Sequence, residues 1–384
     1  MDEDYINGIM MMFVTMLGFC LPHIFGELIG IPNGDRQKNG AASRQRNKKG
    51  VTMQDIARLA ECNPGTVSKA LNNTSFVHPD TKARIMAAVA ELNYHPNIIT
   101  NSIRKGKRHT IGVVVPNVRL SIFGDIAQRI DSEARNAGYS ILFCHTNDDP
   151  QIEYGCLDRL RSGFVDGIII ASTGRNMSLI RDIHNQGIAV IQIIRRQDSS
   201  ISSIVSDYEG GSYDAVKYLY DKGCRHIGLV NGPSVGRYAL RPYKTRYEGY
   251  MNAVTELGMK PICAFTDGRV NGYESGYQCI ERMIDDYPEL DAIMTAVDIY
   301  GMAALRITRE RNIPVPEKIR IVSLTGCYVE NLLERSLTSF ELPAAEIGTK
   351  AARMVIEEIE SPIGSKPSIQ HLMFAAALSE RESS

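Results

Sequence analysis

From residue 110 onward, short apolar runs rich in β-branched residues recur along the chain, with stretches of helical periodicity between them. The runs fall at 111–115, 140–144, 167–171, 189–194, 227–230, 292–296 and 321–324. Runs this short, alternating with helices, predict an α/β architecture of parallel sheets joined by crossover helices. Ligands of such sheets bind in the crevice beyond the carboxyl ends of the strands. No Gly-x-Gly-x-x-Gly follows the first run and no Gly-x-x-x-x-Gly-Lys-Ser/Thr occurs, so neither phosphate-cradling route to a nucleotide site is signalled.

The 384 residues suffice for two or three domains, and 43% hydrophobic with 23% charged residues exclude a disordered, collagenous or coiled-coil chain. Eight cysteines are too sparse for a disulfide scaffold and none forms a Cys-x-x-Cys pair, which points to a reducing cytosol. The histidines show no His-Glu-x-x-His. Asp298 has no nucleophile or oxyanion hole to serve as a general base, so no enzyme, cofactor or metal is expected.

Net charge is −1 over the whole chain but is unevenly spread: +1 in residues 1–50, +4 in 51–110 and −6 in the remainder. A basic module on an acidic body is a layout suited to nucleic-acid binding with a separate sensing domain. Residues 1–50 carry an apolar stretch at 6–21, and the acidic Asp2, Glu3 and Asp4 argue against a secretory signal. One reading makes this stretch a single membrane anchor with the basic residues 36–49 as its cytoplasmic flank. The other is a start assigned too far upstream, because Arg46-Asn47-Lys48-Lys49-Gly50 is what a purine-rich ribosome-binding site would encode, with Met53 just beyond.

Residues 51–95 read as three short helices. Thr52 caps the first, with Ile56, Ala57 and Ala60 on one face; Glu61-Cys62 turn the chain. Asn63 caps the second, Pro64 takes its first position, and Val67 and Leu71 face inward. The third starts at Pro79, with Ile85, Met86, Val89 and Leu92 expected on its inner face. Two helices separated by a two-residue turn, in the basic part of the chain, describe a helix-turn-helix whose second helix enters the major groove.

The string VTMQDIARLAECNPGTVSKALNN, then VHPDTKARIMAAVAELNYHPN, resembles the head of the lactose-repressor (LacI/GalR) family of bacterial transcription regulators. The resemblance continues through IGVVVPN, IFGDI, NDDP, VDGIIIAS, SDYEGG, GCRHIGLVNGP, RYEGY, AVDIYGMAAL and LTSFELP, over about 330 residues. It implies a small all-α helix-turn-helix head and an α/β two-lobed, periplasmic-binding-protein-like (type I) effector domain with parallel sheets. The implied organisation is an extension at 1–50, a head at 51–96, a hinge helix at 97–109 and a two-lobed effector and dimerisation domain at 110–384. Its three chain crossings between lobes are placed near residues 208, 316 and 340.

Carried over position by position, the family's base-reading positions fall on Pro64, Gly65 and Lys69. Pro64 and Gly65 offer no side-chain hydrogen bond, and Lys69 reaches guanine as a point charge. Thr66 and Ser68 are expected at phosphates, and Thr52, Asn63, Asn72, Asn97 and Arg104 complete the DNA-facing set. Residues 97–104 match the family's hinge, too short for a stable isolated helix, with Ile103 in the place of the leucine that wedges between base steps. The resemblance also assigns Ile122 and Phe123 as ring-packing residues, and Arg246 and Asp298 as the polar contacts of the effector. Two departures sit in the head: Glu61 stands where Gly is usual in the turn, and His78 where Ser caps the third helix. Around the pocket, Ile194 replaces a common Asp, Val297 an Asn, and Thr325-Gly326 an acidic pair, which removes acceptors, adds apolar wall and points to a less polar or modified sugar, or an anionic ligand on Arg246.

The expected function is a cytoplasmic, homodimeric repressor of a pseudo-palindromic operator, controlled by a small sugar-like effector. A membrane-tethered or soluble sugar-binding sensor is the alternative.

Overall fold

The computed structural model describes residues 51–72, 75–94, 107–118, 120–233, 240–267, 272–326, 331–362 and 365–384. The chain divides into two compact units, with the boundary between His95 and Pro96.

The smaller unit holds helices α1 (Met53–Leu59), α2 (Pro64–Asn72) and α3 (Pro79–Glu91). Ile56, Val67 and Ile85 are fully buried at its centre, with Ala57, Ala60, Ala70, Ala88 and Tyr94 closing around them. Small residues on facing helices let short elements approach closely enough to share one core. Met86 departs from expectation: it is 49% exposed and Ala88 takes the inner position. The turn at Glu61 requires φ +51°, so a side chain occupies left-handed backbone where glycine would be unstrained.

The larger unit contains two six-stranded sheets. The N-terminal lobe is built on β1 (Thr110–Val115), β2 (Ser140–His145), β3 (Gly167–Ile170), β4 (Ala189–Ile193), β5 (Ser203–Ser206) and β11 (His371–Phe374), in the order β11-β5-β4-β3-β1-β2. Every pairing in it is parallel. The C-terminal lobe uses β6 (Ile227–Asn231), β7 (Ile262–Phe265), β8 (Ala292–Thr295), β9 (Arg320–Ser323), β10 (Thr338–Glu341) and β12 (Ala377–Ser379), in the order β12-β10-β9-β8-β6-β7. Its pairings are parallel except β10 with β12.

The chain passes between lobes three times: after β5, after β10, and between β11 and β12. The crossings expected near 208 and 340 lie there, but the one expected near 316 does not. Pro316 sits between the helix at Asp298–Glu310 and β9, and β9 pairs with β8 in the same sheet. The third crossing is instead at residues 374–377, where the chain returns after the helix at Ala344–Glu360 has packed on the N-terminal lobe.

Counting helices onward, α4 is Ser121–Asn136, α5 Pro150–Arg161, α6 Met177–Asn185, α7 Tyr208–Asp221, α8 Arg241–Glu256, α9 Gly272–Asp286, α10 Asp298–Glu310 and α11 Ala344–Glu360. One helix pair in each lobe touches through a glycine. A Cβ on Gly249 of α8 would lie 2.1 Å from the Glu209 carbonyl oxygen of α7. On Gly348 of α11 it would lie 2.7 Å from the Ile126 carbonyl oxygen of α4. Backbone cannot retreat as a flexible side chain can, so the helices would have to separate. Gly249→Ala and Gly348→Ala should each lower unfolding free energy by about 1–3 kcal/mol. Gly155→Ala, in the open middle of α5, should raise it by about 0.5–1 kcal/mol. Urea unfolding of the three variants checks the contrast; equal stability of Gly249→Ala and the wild type would contradict the close approach.

Candidate functional site

On the head, the cap residues and the exposed face of α2 decide what can meet DNA. The Asp55 carboxylate accepts from the Thr52 backbone N–H at 2.9 Å and from the Thr52 hydroxyl at 2.7 Å, and these donors hold its pKa below the usual carboxylate value. Thr52 is exposed, but its hydroxyl proton is already committed to Asp55. At the start of α2 the Asn63 side-chain oxygen accepts the Gly65 N–H at 2.8 Å, which satisfies a helix-end donor and leaves the amide's own N–H groups pointing out of the cap. Asn63, Pro64, Gly65 and Lys69 are exposed, while Thr66 and Ser68 are half-buried. Asn72 ends the helix; its side chain, and all of Asn97, Ile103 and Arg104, lie outside the described residues. Phe76, 87% exposed just after α2, has no counterpart in the sequence reading. An isolated exposed aromatic leaves no periodic signal.

The basic run after the hinge ends differently from its sequence appearance. Arg108 donates its backbone N–H to both carboxylate oxygens of Asp166 at 2.9 Å, and its Nε to the Gly163 carbonyl at 2.6 Å. Its charge therefore fastens the start of the body to the N-terminal lobe.

Between the lobes, the carboxyl ends of several strands deliver polar side chains to one place. Beyond β1, Ser121 opens α4; beyond β2 comes Asp148; beyond β4, Arg195; beyond β5, Tyr208; beyond β6, Tyr243 and Arg246 on α8; beyond β8, Asp298. The Ser121 hydroxyl donates across the lobes to Asp298 at 2.5 Å. The other Asp298 oxygen accepts the Ile299 N–H at 2.8 Å, and the Asp298 N–H is held by the Thr325 hydroxyl at 3.0 Å. Thr325, one of the departures from the family pattern, thus positions the start of α10. Burial raises the Asp298 carboxyl above its ordinary value, against these hydrogen bonds and Arg246.

Arg246 is 4% exposed and lies over the Tyr208 ring, 4.4 Å from its centroid. Its Nε has no acceptor, and none of the described carboxylates comes within ion-pair reach. Burial therefore pulls its pKa down. A second guanidinium, which sequence reasoning missed, belongs to Arg195, 5% exposed. Asp148 grips it at 2.5 and 3.1 Å, and the Ser172 carbonyl stands at 3.4 Å. Burial opposes that charge but Asp148 outweighs it, and the net shift is upward. Its Nε too is buried without a partner. The NDDP string did carry a signal: Asn147 and Asp148 both adopt positive φ, which aims the Asp148 carboxylate at Arg195.

Of the remaining expected positions, Ile122 and Phe123 are 7% and 3% exposed and join the apolar core of the N-terminal lobe. Ile194 is 6% exposed with φ +64°, a rare conformation for a β-branched residue and costly by about 1–3 kcal/mol. A groove of about 740 Å³ lies elsewhere on the C-terminal lobe, beside Leu305, Arg306, Arg309 and Leu333. Two of its arginines are ion-paired, Arg306 with Glu310 and Arg309 with Glu334, and the third, Arg335, donates to the Val315 carbonyl. Among the described residues no helix is long and apolar enough to cross a membrane.

Residues 52–97 match the family described as bacterial regulatory proteins, lacI family, and residues 108–377 match periplasmic binding proteins and sugar binding domain of LacI family. The ribose operon repressor of Halalkalibacterium halodurans is 25% identical over 310 residues, covering 81% of this chain and 91% of its own. A periplasmic binding protein/LacI transcriptional regulator from Alkaliphilus metalliredigens, complexed with D-xylulofuranose, is 26% identical with a TM-score of 0.63, covering 72% of this chain and 99% of its own. The lac repressor dimer bound to operator and the anti-inducer ONPF shares the fold, with a TM-score of 0.74 at 22% identity over 87% of this chain and 99% of its own.

Removing Asp148 would leave the Arg195 charge buried and unpaired. Asp148→Ala should lower unfolding free energy by about 3 kcal/mol, the lower end for a broken buried pair because Asp148 itself is 24% exposed. Denaturant unfolding measures this, and a loss under about 0.5 kcal/mol would mean that water already carries the charge.

Proposed function

This chain belongs to the LacI family of bacterial regulatory proteins, DNA-binding transcription regulators, and from that premise we propose that it is a repressor acting as a homodimer on a pseudo-palindromic operator in the cytoplasm. A small sugar-like effector in the interlobe cleft controls it. The observation that carries this reading is the pairing, in one chain, of an exposed capped helix bearing Lys69 with a body whose strand ends converge on Arg246 and Asp298.

On the DNA side, Lys69 supplies the base-directed charge, and Thr66, Ser68 and the outward amide of Asn63 meet phosphates that fix register. Pro64 and Gly65 let the backbone come close without reading bases. Asn97, Ile103 and Arg104 act in the hinge, Ile103 as the wedge at the operator centre. On the ligand side, a guanidinium fork and a carboxylate suit adjacent sugar oxygens, with donors from Arg246 and acceptors on Asp298. The xylulose sugar bound by the Alkaliphilus regulator and the ribose operon governed by the Halalkalibacterium repressor support a carbohydrate. A ligand that spans Ser121, Asp298 and Arg246 changes the relation of the lobes, and its preference for one state biases DNA affinity by about 1–3 kcal/mol.

Selection of genomic fragments by the purified full chain at near-physiological salt, followed by sequencing, tests the reading. The expected product is a shared pseudo-palindrome. Lys69→Ala should weaken it by about 1–3 kcal/mol and relax preference at the matching base pairs. Retention without shared sequence, fading as salt rises, would reduce the head to a generic basic module. A uniform loss across all sequences would move Lys69 to a phosphate.

A further inference from the structure

The geometry points to a sugar acid as the effector: a monosaccharide whose carboxylate is held by Arg246, with Arg195 beside it, while its hydroxyls face Asp298. This rests on the reading of the cleft as the effector site and goes beyond it in naming the ligand's charge.

Two buried guanidiniums carry the argument, and they differ in how they are paired. Arg195 is neutralised by Asp148, which takes both of its Nη groups. Arg246 lies on the face of Tyr208, and among the described residues no carboxylate is within ion-pair reach of it. The ring face attracts a cation but accepts no in-plane hydrogen bond, so the buried Nε of Arg246 stays without an acceptor. A guanidinium held out of water in this way carries a desolvation penalty that an incoming anion relieves. Neutral sugar hydroxyls relieve it less, because hydrogen bonds to a charged acceptor are about twice as strong.

The rest of the wall fits the same ligand. Ile194 is buried in the apolar core of the N-terminal lobe and brings no carboxylate beside Arg195. Arg195 adds a second buried Nε without an acceptor. Asp298, the acid that does belong to the cleft, is drawn to Ser121 and to its own helix start. The cleft therefore has an anion-seeking end at Arg246 and an acceptor end at Asp298. One guanidinium with no described carboxylate at ion-pair distance matches one carboxylate better than a phosphate of nearly two charges.

Calorimetric titration of the full chain tests this with the uronate, aldonate, phosphate and neutral forms of glucose, galactose and mannose. At least one carboxylate form should bind tenfold or more tightly than its neutral parent. Arg246→Gln should bring that ratio near one, and Arg246→Lys, which keeps the charge and loses the fork, should retain part of it. The melting profile of each variant confirms folding. If neutral parents bind as tightly as their acids, the anion assignment falls while the carbohydrate cleft stands. If phosphates bind best and depend on Arg246, the carboxylate assignment falls in favour of a sugar phosphate. If no member binds, both the sugar acid and the carbohydrate reading are overturned.

Discussion

Parallel pairing places the carboxyl ends of neighbouring strands on one edge of a sheet, and this chain sets two such edges against each other. The three crossings hold that arrangement. Residues downstream of these strand ends reach the same cleft: Ser121, Asp148, Arg195, Tyr208, Arg246 and Asp298 follow six different strands. No single segment could assemble them. Helix packing then fixes the lobes internally, and the contacts of Gly249 with α7 and of Gly348 with α4 leave no room for a side chain.

The cleft is a place where stability is given up locally. Arg246 lacks a carboxylate, Ile194 is held at positive φ, and two buried guanidinium Nε atoms find no acceptor. The apolar cores on either side are large enough to tolerate these costs, and strain of this kind clusters where a ligand completes the structure. The Ser121–Asp298 hydrogen bond is the counterpart: it joins the lobes directly, through the same carboxylate that a sugar would use. Under the proposed reading a ligand competing for Asp298 would replace that bond, which would link occupancy to lobe position.

Much of this was legible in the amino-acid order. The seven short apolar runs became strands, all but the edge strand β2 inside their sheets, because continuous β-branched stretches such as Gly167–Ile170 have no other way to be buried. β5, β7, β10, β11 and β12 were not among those runs: Ser203–Ser206 is half polar although buried inside its sheet, and His371–Phe374, at a sheet edge, is half exposed. The crossing placed near 316 from the resemblance falls instead in a loop between α10 and β9 of one lobe. Arg246 and Asp298 came from family resemblance, since an arginine in a helix is ordinarily a surface residue. Arg195 was missed because its significance lies in Asp148, nearly fifty positions away, and only three-dimensional structure joins them. Met86 followed helical periodicity too loosely, and the true inner position at Ala88 is a residue whose small side chain gives a weak signal.

The claim at the centre of the account is that ligand binding in the cleft and DNA binding by the head are one coupled equilibrium. The direct measurement takes a DNA fragment retained by the full chain and a ligand that binds its cleft, and determines each affinity with and without the other present. Linkage requires that the ligand change the affinity for DNA by the same factor as the DNA changes the affinity for the ligand. The account predicts equal factors of about 5–150. Affinities that do not respond to the other partner would contradict it, and would make head and cleft independent modules.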